Sequence, residues 1–285
     1  LDGERRLEEE QRYSDILCAI DLLGNLGSKD FIDIACSTTP SNAPNTPATT
    51  VGLTTDEVTN VIFYGLQQIL ALMTSGLLTY PTLARRYFAL VGFMMDTYPE
   101  KTGPGSIPTA LFLSLVETLL GGMSHTSVDI ARNSLKGLAA LARVHLEDGR
   151  LLAGHLMVGA VDGSGGGGGN PNLFGDALRR LLTEVVFSPD NIIWDRLEVT
   201  ALALLPLAAV TIDQGIFGGI VEGIAMQVEE GVKREGLKMA FGRLMQADVV
   251  GKVKNGGCGG RMNRVRFRKD FEVFVKDIHS TVLVF

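Results

Sequence analysis

The residues able to do chemistry are thinly spread along this chain. Gly163 to Gly169 reads GSGGGGG and invites a phosphate-loop reading. Such a loop needs a preceding strand, a Lys beside a Ser or Thr, and a helix start. Asn170-Pro171 follows instead, so the run reads as a flexible linker. Asn255 to Gly260, NGGCGG, reads the same way, with Cys258 inside it. The four histidines are His125, His145, His155 and His279. No two stand one helical turn apart and no HExxH occurs, so no zinc site is expected. His145 is expected to be a satisfied core histidine beside an apolar face. No serine sits in a GxSxG elbow. Cys18, Cys36 and Cys258 have no CxxC partner and read as bystander thiols. Carboxylate pairs such as Glu229-Glu230 read as exposed helix charges. Arg261, Arg264, Arg266, Arg268 and Lys269 form one basic cluster. No stacking aromatics alternate with them, so a solvated helix face is expected rather than direct nucleic-acid binding. No catalytic constellation, metal site or cofactor site emerges, and a protein that is not an enzyme is expected.

Composition sets the same bounds. The chain has 285 residues, 46% of them hydrophobic and 20% charged, with a net charge of −6. That is too apolar for disorder throughout and too acidic for a phosphate-seeking basic domain. Three cysteines cannot make a disulfide framework. Length predicts two domains or one elongated one. A start at Leu1 predicts a fragment, a trimmed product or an incomplete gene model, and the charged stretch from Leu1 to Arg12 predicts no signal peptide. Val199 to Ile212 is apolar over fourteen residues, too short to span a bilayer, so no membrane insertion is expected.

Helical periodicity dominates the chain. A helix is predicted from about Leu7 to Asn25. Three prolines among eight residues, Pro40 to Pro47, forbid one in the loop that follows. Thr54 with Glu57 fits a capping box for a helix ending near Leu77. Tyr80-Pro81 opens the next, which stops before Pro99 and carries Ala84, Tyr87, Phe88, Val91, Met94, Met95 and Tyr98 on its apolar face. Further helices are predicted from Pro108 to Gly122, from Thr126 or Ser127 to Glu147, and from Asn172 to Phe187. Leu151 to Val161 is a weaker candidate. Asp190 to Val210 follows, with Pro206 expected to kink it near Leu202. Gly215 to Glu230 and Lys233 to Gln246 are glycine-diluted helices. Phe267, Phe271, Phe274 and Ile278 form an amphipathic stripe on the last helix. Strand signals are almost absent.

Helix pairs begin near residues 55, 108, 172 and 213; the last interval is 41 residues, and the others, 53 and 64, are stretched by loops. Pairs recurring at roughly 40–47 residues mark HEAT or armadillo repeats. The predicted fold is therefore all-α, a HEAT/armadillo-like solenoid of antiparallel helix pairs. Residues 1–35 read as a helix from a preceding repeat, 36–53 as a Pro/Thr-rich loop and 54–162 as repeats. Residues 163–171 read as a Gly-rich linker, 172–250 as further repeats, 251–263 as a second linker and 264–285 as the last helix. The second helix of each pair would line a concave binding surface. Its polar candidates are Arg85, Arg86 and Asp96; Asp129, Arg132, Lys136 and Arg143; and Asp195 and Glu198.

Four stretches carry a resemblance: Leu22 to Ile34 (LLGNLGSKDFIDI), Val61 to Lys101 (VIFYGLQQILALMTSGLLTYPTLARRYFALVGFMMDTYPEK), Ile107 to Leu141, and, loosely, Arg268 to Val275 (RKDFEVFV). They resemble the C-terminal part of exportins, nuclear transport receptors of the importin-β superfamily, and most closely the exportin-4-like ones. The likeness covers most of residues 15–147; beyond 150 it rests mainly on helix order. Exportin-7-like and exportin-1-like receptors are alternatives, as is a cytoplasmic helical-repeat scaffold unrelated to transport. The Pro/Thr loop and both glycine runs depart from the family. The resemblance implies a nucleus–cytoplasm shuttle that binds Ran-GTP together with protein cargo, such as translation factor 5A. It also implies contact with nuclear pore Phe-Gly repeats in grooves between helices. No Ran or cargo residue maps one-to-one onto this chain.

Overall fold

The structure is a computed structural model. It describes residues 11–28, 55–149, 155, 172–188, 193–228, 231–245 and 261–281. The predicted capping residue Thr54, the Pro/Thr loop, both glycine runs, Cys36 and Cys258 lie outside the described residues, as does Leu151 to Val161 apart from His155.

The described residues form ten α-helices and no strand. They are α1 (Ser14–Leu26), α2 (Thr55–Leu72), α3 (Pro81–Thr97), α4 (Thr109–Gly122), α5 (Val128–Glu147), α6 (Leu173–Arg180), α7 (Ile193–Asp213), α8 (Phe217–Ala225), α9 (Gly231–Leu244) and α10 (Arg261–Thr281). The prolines act as their positions demand. Pro81 opens α3 at the first turn, where a missing N–H costs nothing. Pro108 sits one place outside α4, as its N-cap. Pro206 lies inside α7, which runs unbroken from Ile193 to Asp213. Among the described residues no single helix is long and apolar enough to cross a membrane.

Two elements depart from expectation. α2 ends at Leu72, five residues before Leu77. Thr74 takes over there, its carbonyl accepting the N–H groups of Leu77 and Leu78, and a 3₁₀ turn Leu77–Thr79 leads into α3. α6 passes into a π-helical turn, Leu181–Val186, in which the Phe187 N–H reaches back to the Leu182 carbonyl. Periodicity near 3.6 cannot reveal such local widening.

Alternate helices line up in one direction. Tyr13 packs on Tyr80 with centroids 4.8 Å apart, Asp21 pairs with Arg86, and the Tyr98 hydroxyl donates to the Gly27 carbonyl at 2.8 Å. Those three contacts ascend both segments together, so α1 and α3 are parallel. Gly92 lies against Asn133, Met95 against Gly137, and Asp96 pairs with Arg143, so α3 and α5 are parallel too. Arg196 at the start of α7 reaches the loop that opens α5, and Asp213 at its end acts on His145 near the end of α5. α7 therefore continues the parallel set. α2, α4 and α6 lie between these in sequence; α2 packs on α1, α4 on α3 and α5, and α6 on α7.

Burial follows from this order. α5 is enclosed by α3, α4 and α7 and buries eleven of its twenty residues, many of them Ala, Gly or Ser. α7 buries fourteen of twenty-one, whereas α1 buries only Leu17, Ile20 and Leu23. The predicted apolar face of α3 is buried throughout, and Ala131, Leu135, Leu138, Ala142 and Leu146 form the inner face of α5.

Gly92 sets the α3–α5 approach. A Cβ there would stand 2.6 Å from the Asn133 carbonyl oxygen, a backbone atom that cannot move aside alone. Gly92→Ala therefore forces two helices apart at a cost of about 1–3 kcal/mol, against roughly 1 kcal/mol of gained helix propensity. We expect net destabilisation, while Gly223→Ala in α8, where nothing lies within 4 Å, should be neutral or stabilising. Urea midpoints of the two variants, compared with the parent, check this.

Candidate partner-binding surface

The nine polar candidates all lie on α3, α5 and α7. The structure brings some of them together and turns others elsewhere. Asp96 and Arg143 meet at 3.3 Å across α3 and α5. Asp129 and Arg132 pair within α5 at 3.5 Å. Arg86 turns to Asp21 of α1, and Glu198 to Arg268 of α10 at 3.2 Å. Six of the nine charges are thus compensated within the chain. The Arg85 Nε donates to the Pro81 carbonyl at 3.2 Å and pairs with no acid among the described residues. Lys136 and Asp195 are exposed and make no ion pair or hydrogen bond among the described residues. Solvent-exposed pairs are worth only about 0.2–1 kcal/mol each, so a partner carrying matching charges can compete for them.

Two grooves open between the helices that precede the parallel set. One, of about 400 Å³, lies between α2 and α4, floored by Phe63, Ile107 and Leu111 and rimmed by the Asp56–Lys101 ion pair. The other, of about 350 Å³, lies between α4 and α6, floored by Val116, Leu120 and Leu173. Its rim pair is Glu117 with Arg180, at 3.6 Å. Tyr64, two-thirds exposed, stands over the first. Each has an apolar floor and a polar rim, a shape suited to one large apolar side chain of a partner.

Residue reasoning missed Arg196. It is 3% exposed, and its guanidinium donates to the carbonyls of Met123 (3.4 Å), His125 and Thr126 (3.1 Å). A residue two helices downstream thereby holds the α4–α5 loop and the end of α4, where a cation is favoured. Its signal was present: Arg196 falls in phase with Ile193, Thr200 and Ala203 on the buried stripe of α7. Burial lowers its pKa and Asp195 raises it again.

The histidines sit in local packing and hydrogen-bond contacts. His155 is buried, stacks on Phe112 at 4.6 Å, and bridges Thr109 Oγ1 (3.0 Å) and the Thr102 carbonyl (2.8 Å). The carbonyl can only accept, so Nε2 carries the proton. The His125 Nδ1 accepts the Ser127 N–H at 3.0 Å. His145 lies 5.0 Å from Phe174, and its buried Nδ1 has no hydrogen-bond partner among the described residues, so it is not the satisfied histidine expected. Among the described residues no group of three His, Cys, Asp or Glu could hold a metal ion. The basic cluster is divided, with Arg268 facing Glu198 while Arg266 and Lys269 are exposed.

No family model matches this chain, and no solved structure matches it.

Two of these histidines predict a pH response. Burial pushes the imidazoles of His125 and His145 below the ordinary value of 6.5; the Arg196 charge lowers His125 further, while Asp213 partly restores His145. Below pH 6.5 the unfolded chain therefore binds protons that the folded chain refuses. Stability is complete above that value and falls as pH drops toward the lowered folded pKa values. The thermal midpoint should decline between pH 7.5 and 5.5, and the decline should flatten in an H125Q/H145Q variant.

Proposed function

We propose that this chain is part of an exportin-4-like nuclear transport receptor. Its helix pairs would stack as HEAT-like repeats, and it would act by binding rather than by catalysis. The observation that carries the reading is the parallel alignment of α1, α3, α5 and α7 with α2, α4 and α6 between them. Helical hairpins stacked in register produce such an alignment, and each hairpin then buries its apolar face against the next. The chain resemblance over residues 15–147 supplies the functional class.

On this reading the helices bearing Arg85, Lys136 and Asp195 face Ran-GTP and protein cargo. Charges that are only weakly held within the chain are available for exchange with a partner. The two apolar grooves on the α2, α4 and α6 side would take phenylalanines of nuclear pore Phe-Gly repeats. Ran-GTP and cargo would favour each other because both stabilise one curvature of the array, a linkage of typically 1–3 kcal/mol.

The test captures partners on the full-length gene product carrying this chain, with and without GTP-locked Ran. Partners retained only with Ran-GTP support an export receptor. Partners released by Ran-GTP would instead indicate import. Binding indifferent to Ran would sink the transport reading and leave a helical-repeat scaffold.

A further inference from the structure

The apolar stripe of α10 fixes which side of that helix faces outward. Phe267, Phe271, Phe274 and Ile278 are buried, Phe274 stands 4.9 Å from Phe241 of α9, and Arg268 meets Glu198 of α7 at 3.2 Å. The opposite side is left to solvent. It carries Arg266, Lys269, Val273 and Lys276, whose spacing puts them on one stripe, with Val265 beside them. All five are exposed, Val273 by 58% and Val265 by 48%. No acid shares the stripe; Asp270, Glu272 and Asp277 fall to either side of it. Lys276 holds Glu272 at 2.7 Å, whereas Arg266 and Lys269 make no ion pair among the described residues.

Helix stability does not account for these cations. α10 opens with Arg261 and Arg264 and has no acid in its first turn, where the helix dipole favours acids. Local preference and adopted structure thus disagree, as they do at functional sites. The charge is also segregated along the chain. Residues 231–285 hold twelve Lys or Arg and five Asp or Glu, a net of +7. Residues 1–230 hold fourteen against twenty-seven, a net of −13. An acidic protein therefore ends in a basic segment whose last helix turns an acid-free stripe to solvent.

We propose that this stripe of α10 docks an acidic segment of a partner protein. Carboxylates of the segment meet Arg266, Lys269 and Lys276, and its apolar side chains cover Val265 and Val273. Charge complementarity sets the sign of the partner, and three observations favour a peptide over a nucleic acid. The exposed valines suit a chain that brings apolar side chains, which a phosphate backbone lacks. Phe267, Phe271 and Phe274 are buried, so α10 offers no exposed ring on which a base could stack. Asp270 and Asp277 border the stripe and repel a continuous row of phosphates, whereas a peptide can be neutral at those positions. From Arg266 to Lys276 the stripe runs about 15 Å, the reach of roughly four or five extended residues. The inference does not depend on the transport reading.

The experiment titrates the whole chain against a fluorescein-labelled peptide of four Glu-Glu-Leu repeats and reads anisotropy. A Gln-Gln-Leu peptide of equal length and a labelled oligothymidine of twelve nucleotides are the comparators. The acidic peptide should bind saturably at about 0.01 M NaCl and lose affinity toward about 1 M, as the screening length falls from about 30 to 3 Å. R266Q and K269Q should each weaken it about 1.5- to fivefold, and together about two- to 30-fold. V273S should weaken it about fivefold through lost apolar contact. R179Q, which removes one exposed charge from α6, should leave it unchanged. Circular dichroism matches the helical content of the variants before comparison. Absence of saturable binding, equal binding of the Gln-Gln-Leu peptide, or an equal loss in R179Q would overturn the docking stripe. Tighter binding of oligothymidine than of the peptide would overturn the choice of partner. So would self-association of the chain at low salt that R266Q/K269Q abolishes, because a second copy would then occupy the stripe.

Discussion

Replacing Arg196 by Met should remove about 3 kcal/mol of stability from the central helices. The guanidinium is nearly fully buried and serves three carbonyls around the end of α4. A charge-assisted hydrogen bond contributes about 1.5–3 kcal/mol, and each buried carbonyl left bare costs about 1–3 kcal/mol. Against this stands the relief of desolvating a charge, which makes many buried ions replaceable by apolar residues. Relief does not prevail here, because Met deletes the donors and leaves three acceptors behind. Arg196→Lys should recover less than half, since an ammonium on a flexible stem does not reproduce the planar fork. Urea unfolding gives the free energy, and hydrogen exchange at residues 123–131 locates it. The loss should be the same at low and high salt, which separates it from the surface pairs. A variant as stable as the parent would show that the α4–α5 loop holds without the clamp.

Phe241→Ala should cost about 3–5 kcal/mol and fall first on α8–α10 and on the turn at Phe187 that packs against them. α9 buries only Leu237, Phe241 and Leu244 among its fourteen residues, so one ring supplies most of its anchoring volume. Phe187, Phe217 and Phe274 all lose their shared neighbour. The expected result is an unfolding profile in which α8–α10 melts early while α3, α5 and α7 keep their exchange protection. Phe241→Leu, which keeps most of the volume, should cost less than half as much. Uniform loss of protection across all helices would show instead that the chain unfolds as one cooperative body.

Sequence determined the helices because each is a local object. Apolar spacing, Pro81 and Pro108, and the Gly121-Gly122 stop are local signals, and they placed α3, α4 and α5 to within a residue or two. The Phe267, Phe271, Phe274 and Ile278 stripe is buried as its spacing required. Periodicity also named the helices that carry the candidate polar face. Tertiary structure alone decided which of those charges are free. Arg86, Asp96, Arg143 and Glu198 read as outward polar residues, yet each meets an opposite charge on another helix. The separations in sequence are large, and no local pattern encodes such a meeting. Arg196 shows the same limit from the opposite side. A charge in phase with an apolar stripe signals burial, but only packing shows the three carbonyls that make burial tolerable. Local propensity acts through a few neighbouring residues, whereas pairing and burial depend on which distant surfaces the folded chain brings into contact.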